Sequence, residues 1–79
     1  MRATVLVRPK HGILDPQGQA VGSALQHLGF PVSEARVGRV VDLEVGEMSA
    51  DEARRHVKEM CDQLLANPLI ESYEIEIAE

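Results

Sequence analysis

Hydrophobic and polar positions change their spacing several times along the chain, and each change predicts a new element. From Arg2 to Arg8 the residues are β-branched and aliphatic in the middle, which predicts a central strand. Residues 32–45 predict extended structure, and Gly38 either bends it or divides it into two strands. From Leu69 to Ile77 apolar and polar residues alternate, which predicts a last strand with one solvated face.

Two other segments repeat at helical spacing. Asp15 is placed to cap a helix that begins at Pro16, and Gly29 is placed to end it in a Schellman turn. Ser49 is placed to begin a second helix that stops near Pro68. The predicted core-facing stripes consist of Ala20, Val21, Ala24, Leu25 and Leu28 in the first helix, and of Ala53, Val57, Met60, Cys61, Leu64 and Leu65 in the second.

The order of these elements predicts a single α+β domain over residues 1–79. We expect a two-layer fold of the type β-α-β(β)-α-β, with both amphipathic helices on one face of a small sheet of three or four strands. The other face, with Leu6, Val40 and Ile70 among charged neighbours, is predicted to be partly open. We expect the chain to dimerise through the sheet, by this face or by an unpaired strand edge.

Composition limits what such a domain can do. A chain of 79 residues has a thin core, and its single cysteine allows no internal disulfide, so added stability is expected from oligomerisation. The net charge of −5 argues against a nucleic-acid partner. Neither a transmembrane run nor a signal-peptide pattern is present, so we expect a cytoplasmic protein with no membrane partner.

Candidates for chemistry are few. The loop before the first helix has one glycine where a phosphate cradle needs several, and Asp15 competes with an anion for the helix N-terminus. His11 has no recognisable partner that would make it a general base, and Cys61 lies on an apolar stripe, where an inert thiol is expected. We therefore predict no catalytic, cofactor or metal site. Arg36 and Arg39 form a basic pair suited to a carboxylate-bearing partner.

Three phrases of the sequence resemble a known family. They are GILDPQGQAVGSALQHLGF at residues 12–30, RVGRVVDLEV at residues 36–45 and MCDQLLANPLIESYEIEI at residues 60–77. Together they resemble the PurS family, the small subunits of phosphoribosylformylglycinamidine synthase, over nearly the whole chain. The most specific pieces are LDPQG, RVG and LLANP, whereas His11 and Gly12 stand where Pro-Gly or a similar pair is expected.

This resemblance implies a non-catalytic subunit of a glutamine-dependent amidoligase, a ligase complex of de novo purine biosynthesis. The complex converts formylglycinamide ribonucleotide, ATP and glutamine to formylglycinamidine ribonucleotide, ADP, phosphate and glutamate. In that family the small subunit joins a synthetase subunit, which uses ATP and magnesium, to a glutaminase subunit and supports ammonia transfer between them. The resemblance also implies a homodimer or larger homo-oligomer. We select Asp15, Arg36, Arg39 and Asn67 as candidate contacts with the larger subunits.

Two alternatives stay open. An ACT-like regulatory domain, which senses a small molecule, shares a similar element order and needs a polar pocket near the loop after the first strand. The residues from Lys10 to Leu14 offer little for such a pocket. The other alternative is a small dimeric enzyme that acts through His11. The stoichiometry, the ammonia route and the surface that meets each subunit do not follow from the sequence.

Overall fold

The structure is a computed structural model that describes residues 1–78, and its centre is a three-stranded antiparallel sheet. The strands are β1 (Arg2–Pro9), β2 (Arg39–Glu44) and β3 (Glu71–Ala78), in the order β2-β1-β3. In the middle of the sheet Val5 pairs with Val41 on one side and with Ile75 on the other. The predicted α+β class is confirmed, and the extended residues 32–45 contain one strand rather than two.

Two helices connect the strands, and both begin at the predicted caps. They are α1 (Pro16–His27), between β1 and β2, and α2 (Ala50–Met60), between β2 and β3. Asp15 Oδ1 accepts a hydrogen bond from the Gly18 N–H at 3.0 Å, and Ser49 Oγ accepts one from the Glu52 N–H at 3.1 Å. These bonds satisfy N–H groups that the first turn of a helix leaves without partners.

The two helices end differently. The predicted Schellman turn closes α1, because the Phe30 N–H donates to the Leu25 carbonyl at 3.0 Å. The second helix instead widens into a π-helical turn, Cys61–Leu65, in which the Ala66 N–H donates to the Cys61 carbonyl at 3.0 Å. This wider turn carries Leu64 away from the predicted apolar stripe, and Leu64 is 82% exposed.

The core lies between α2 and the inner face of the sheet. Its largest fully buried side chains are Val5 and Val7 from β1, Val57 from α2 and Cys61 from the π turn. Three alanines complete the buried set, and partly buried residues of the edge strands pack against it. Within residues 1–78 no side chain larger than valine is fully buried. A single chain therefore has the small core that its length predicts.

The first helix does not lie on the sheet, contrary to the prediction that both helices cover one face. Only Gly18 and Gly22 are buried in α1, and their nearest neighbours outside the helix include Ala35 rather than a strand. The reason is that β1 and β2 are antiparallel neighbours, so the chain leaves and returns at the same end of the sheet. A crossover that lays a helix over the sheet joins parallel strands instead. We name residues 10–38 the arm.

The outer face of the sheet carries no helix, as predicted. On this face Thr4 Oγ1 donates to Asp42 Oδ1 at 3.0 Å, and Arg8 Nη1 lies 3.1 Å from Glu74 Oε1. Val40 is 60% exposed between these polar pairs. The outer face is therefore mixed in character, with an apolar part that is small and bordered by charge.

Candidate functional site

The residues selected as partner contacts lie around one end of the sheet, where β1 ends and β2 and β3 begin. Asp15, Arg39 and Glu71 line one cleft there, with a volume of about 330 Å³. Arg36 and Arg39 line a neighbouring cleft of about 360 Å³. Asn67 joins the group through a backbone hydrogen bond to Glu71. Folding thus brings together four residues that are up to 52 positions apart, from 15 to 67.

Asp15 connects the start of α1 to the returning segment of the arm. Its Oδ1 caps the helix at Gly18, and its Oδ2 accepts a hydrogen bond from the Val37 N–H at 2.9 Å. These two backbone bonds, helped by the charge of Arg36, lower the pKa of Asp15. Gly18 makes this close packing possible, because a Cβ there would overlap the Asp15 carboxylate and the Ala35 carbonyl oxygen. Of these interactions, only the cap that Asp15 forms at the start of α1 was predictable from the sequence.

Arg39 links β2 to β3 across the end of β1. Its Nη1 lies 2.6 Å from Glu71 Oε2 and its Nη2 lies 3.1 Å from Glu71 Oε1, while Nη2 also donates to the Leu65 carbonyl. The Asn67 N–H donates to Glu71 Oε1 at 2.8 Å. We name this set, Arg39 and Glu71 with the backbone groups of Leu65 and Asn67, the sheet-end clamp.

The clamp changes the acidity of both charged partners. Hydrogen bonds from Arg39 and the Asn67 N–H lower the pKa of Glu71, whose side chain is 17% exposed. The same carboxylate raises the pKa of Arg39, so both groups stay charged. A charged, bidentate pair of this kind orients the two edge strands and the end of the π turn relative to one another.

The other two selected residues also have local roles. Asn67 Oδ1 accepts a hydrogen bond from the Leu69 N–H at 3.1 Å, which shapes the turn before β3. Arg36 donates to the Pro9 carbonyl and so holds the arm against the end of β1. All four selected residues are therefore engaged within the chain. Their contact with larger subunits stays a prediction.

The two residues considered for catalysis lie in unsuitable surroundings. Cys61 is fully buried, and burial raises the pKa of its thiol, which disfavours the reactive thiolate. His11 is exposed at the base of the arm. No group of three or more His, Cys, Asp or Glu side chains within residues 1–78 is placed to hold a metal ion. Over the same residues, no helix has the length and apolar character needed to cross a membrane.

Exposed apolar side chains are the main feature that the sequence analysis missed. Four large residues predicted to lie on stripes that face a core, Val21, Leu28, Met60 and Leu64, are exposed. The signal that could have revealed this for the arm is the absence of Asp, Glu, Lys and Arg from residues 16–33. The large exposed apolar residues of the arm are Ile13, Leu14, Val21, Leu28 and Phe30.

Comparison with known proteins identifies the family. Residues 2–79 match the PurS family model, described as phosphoribosylformylglycinamidine (FGAM) synthase. The FGAM synthase subunit PurS of Methanocaldococcus jannaschii is 38% identical over 77 residues, which cover 96% of this chain and 93% of that protein.

Solved structures agree with this match. A structure of Bacillus subtilis PurS is 40% identical and gives a TM-score of 0.86 over 99% of this chain and 98% of that chain. A chain in the structure of PurLQS from Thermotoga maritima is 32% identical and gives a TM-score of 0.86 over 95% of this chain and 93% of that chain. From its first strand to its last, the chain belongs to the PurS family of FGAM synthase subunits.

Proposed function

We propose that the chain is the non-catalytic assembly subunit of phosphoribosylformylglycinamidine synthase in purine biosynthesis. In this function it joins an ATP-dependent synthetase subunit to a glutaminase subunit in the cytoplasm. The observation that carries the proposal is the similarity, over 95% of the chain, to a chain of the PurLQS structure. ATP and magnesium bind the synthetase subunit, and this chain contributes a docking surface for the two larger subunits.

The reaction explains why an assembly subunit is useful. Formylglycinamide ribonucleotide, ATP, glutamine and water yield formylglycinamidine ribonucleotide, ADP, phosphate and glutamate, and ammonia is the intermediate that passes between two active sites. Free ammonia diffuses away and takes up a proton, which removes its nucleophilic lone pair. Holding the two sites in one complex raises the effective concentration of ammonia at the second site.

The sheet-end clamp supports a role as a docking point. Its Glu71 carboxylate accepts three hydrogen bonds, two of them from Arg39 of the other edge strand. Arg39 also donates to the Leu65 carbonyl, which ties the two edge strands to the π turn. A surface that is ordered before binding loses less conformational entropy when a partner docks. The clefts beside the clamp are bordered by both guanidinium and carboxylate groups, which suits a partner surface with charges of both signs.

Self-association is part of the same proposal. The chain forms a homodimer or a larger homo-oligomer, and its small core supports this, because no fully buried side chain of residues 1–78 exceeds valine in size. The regulatory alternative has less support. The cleft at the loop after β1 is lined by His11, Gln19 and Glu34 together with Asp15 and Arg36, and the last two already bind the arm and the end of β1.

Reconstitution tests the assembly function. The chain is mixed with both larger subunits, resolved by size exclusion, and assayed with glutamine or with ammonium chloride as the nitrogen source. We expect glutamine-dependent synthesis to require the chain, and ammonia-dependent synthesis by the synthetase subunit to continue without it. Failure of the chain to co-elute with either subunit would refute the proposal.

Charge reversal tests one selected contact. Arg36→Glu removes a cation at the base of the arm, and Arg55→Glu makes the same change on the solvated side of α2. We expect only Arg36→Glu to weaken co-elution and to lower glutamine-dependent synthesis. Equal behaviour of the two variants would remove Arg36 from the contact surface without affecting the assembly function itself.

A further inference from the structure

The free edge of β3 is the longer of the two sheet edges, with eight residues against six in β2. The register of the sheet shows which of its backbone groups have no strand beside them. Just before β3, the Lys10 N–H donates to the Ile70 carbonyl at 2.9 Å, and this pair continues the register of β1 with β3. In an antiparallel pair, hydrogen-bonded residues recur at every second position. The even-numbered residues of β3 therefore bond to β1, and the odd-numbered residues direct their N–H and carbonyl groups outward.

A contact from α2 agrees with this direction. Arg54 Nη1 donates to the carbonyl of Ile75, an odd-numbered residue, at 3.2 Å, so this carbonyl points away from β1. Within residues 1–78, the N–H of Ile75 and both outward groups of Tyr73 and Ile77 meet no partner. A strand edge with free backbone groups of both kinds is a template for the addition of another strand.

The two faces of β3 differ in chemistry. The inner row packs half-buried against the core and consists of Tyr73, Ile75 and Ile77. The outer row is exposed and consists of Ser72, Glu74 and Glu76. Side chains directly opposite each other on neighbouring strands lie about 4.5–5.5 Å apart, so an added strand meets both rows. The chemistry that fits is an extended segment with apolar residues on the inner face and Lys or Arg on the outer face.

The acidic row argues against a second copy of β3 as the occupant. The strand contains three glutamates and no lysine or arginine. Two such strands paired edge to edge would set glutamates beside glutamates, and like charges directly opposite each other are destabilising. The ion pair of Glu74 with Arg8, at 3.1 Å, leaves both side chains more than half exposed. The row therefore keeps a negative charge that favours a basic segment of a different chain.

We infer that the free edge of β3 binds an extended segment of a larger subunit, in which apolar side chains alternate with Lys or Arg. The inference rests on the proposed assembly function and names the form of one of its contacts. The edge begins at Glu71, so it continues directly from the sheet-end clamp. Arg54 covers the Ile75 carbonyl with a single exposed bond, which an N–H group of the incoming strand replaces.

The length of the edge limits the size of this contact. Residues 73–77 extend over about 17 Å, and each odd-numbered residue offers one N–H and one carbonyl. Added strands gain affinity from these backbone bonds and specificity from the alternating side chains. A strand of this length is smaller than a whole interface of roughly 1,200 Å², so the clefts beside the clamp belong to the same docking surface.

Hydrogen exchange at single residues tests strand addition. The isotope-labelled chain is placed in heavy water alone, with each larger subunit and with both, and exchange is stopped in dimethyl sulfoxide and measured by NMR. In the isolated chain, we expect the N–H groups of Tyr73, Ile75 and Ile77 to exchange faster than those of Glu74 and Glu76, which bond to β1. In the complex, we expect the three outward N–H groups to slow by at least about tenfold. Glu74 and Glu76 are the controls within the same strand.

Reversal of one charge in the outer row tests the chemistry of the added segment. Glu76→Lys places an ammonium group beside the basic side chains expected on the partner, and Glu59→Lys makes the same change on the solvated side of α2. We expect only Glu76→Lys to raise the dissociation constant for a larger subunit, by about three- to tenfold. Circular dichroism and the slow exchange of the Glu74 N–H report whether each variant folds as the original chain does.

The outcomes separate this inference from the assembly function. Outward N–H groups that are already slow in the isolated chain would overturn strand addition, because the edge would then be occupied. Equal dissociation constants for Glu76→Lys and Glu59→Lys would overturn it as well. Co-elution with unchanged exchange of the outward N–H groups would refute strand addition alone, whereas a chain that does not co-elute with either subunit would refute both.

Discussion

Removal of one negative charge from the sheet-end clamp gives the sharpest test of how this fold is held together. Glu71→Gln keeps the shape of the side chain but replaces one acceptor oxygen with an NH₂ group. The carboxylate of Glu71 accepts two hydrogen bonds from Arg39, at 2.6 and 3.1 Å, and one from the Asn67 N–H at 2.8 Å. The variant therefore loses the ion pair and sets an amide donor against a guanidinium donor.

The expected loss in the free energy of unfolding depends on how far Arg39 and Glu71 are exposed to solvent. Hydrogen bonds to charged groups contribute about 1.5–3 kcal/mol when shielded, whereas exposed ion pairs contribute about 0–1 kcal/mol. The Glu71 side chain is 17% exposed, but that of Arg39 is 48% exposed, so solvent screens part of the interaction. We expect a loss of about 1–2 kcal/mol in the free energy of unfolding. For a domain of this size, that corresponds to a fall in Tm of about 5–15 °C.

Thermal unfolding at fixed protein concentration measures this loss, with Glu76→Gln as the matched control on the outer face of β3. We expect the control to stay within about 0.5 kcal/mol of the original chain. Because Arg39 and the Asn67 N–H lower the pKa of Glu71, the stabilisation is complete above the ordinary glutamate pKa of about 4.3. It is lost as the pH falls through the lower folded-state pKa of Glu71. The difference in Tm between the original chain and Glu71→Gln should therefore disappear at acidic pH. An unchanged Tm at pH 7 would refute the argument.

Three further variants or probes test the core and the strand junction. Val57→Ala removes two methyl groups from a fully buried site, so we expect a loss of about 2–3 kcal/mol, seen as a lower urea midpoint with an unchanged m value. Gly38→Ala should lower Tm and weaken amide protection along β1, because the added Cβ overlaps the Val7 carbonyl oxygen; native protection would contradict this. The Cys61 thiol should react with a disulfide reagent only in denaturant, and rapid labelling of the folded chain would contradict its burial.

Local signals predicted the elements well. The Asp15 cap, the Ser49 cap and the turn after α1 each depend on residues within a few positions of one another, so the sequence displays them directly. The strands were predictable for the same reason, because alternation is a property of neighbouring residues. These signals indicate which segment is helix or strand without reference to any tertiary contact.

The placement of α1 was not predictable from such signals. It depends on the antiparallel pairing of β1 with β2, which joins residues more than 30 positions apart, such as Val7 and Arg39. A parallel pairing would leave the helix pattern of α1 unchanged and would lay it on the sheet. The apolar stripe of α1 predicts a covered helix, but the structure leaves Val21 and Leu28 of that stripe exposed.

Only part of the candidate site is predictable from the sequence, because its residues pair over long distances along the chain. Arg39 was selected as part of a basic pair, yet its partner Glu71 was not, because no periodicity relates a residue at the start of β2 to one at the start of β3. The bond from Val37 to Asp15 is equally long-range. Charged residues at strand ends are ordinary in sequence, and only the register of the sheet assigns their partners.

The separation of charged and apolar surfaces bears on how one small subunit could serve several contacts at once. Residues 16–33 carry no Asp, Glu, Lys or Arg, whereas the sheet end combines Arg36, Arg39 and Glu71. Permanent interfaces between identical subunits are the more apolar class, and contacts between separately folded subunits depend more on charge. In our proposal the sheet end is therefore the surface that meets the larger subunits. Because the two surfaces differ in chemistry, we expect docking of a large subunit at the sheet end to leave the apolar surface of the arm accessible.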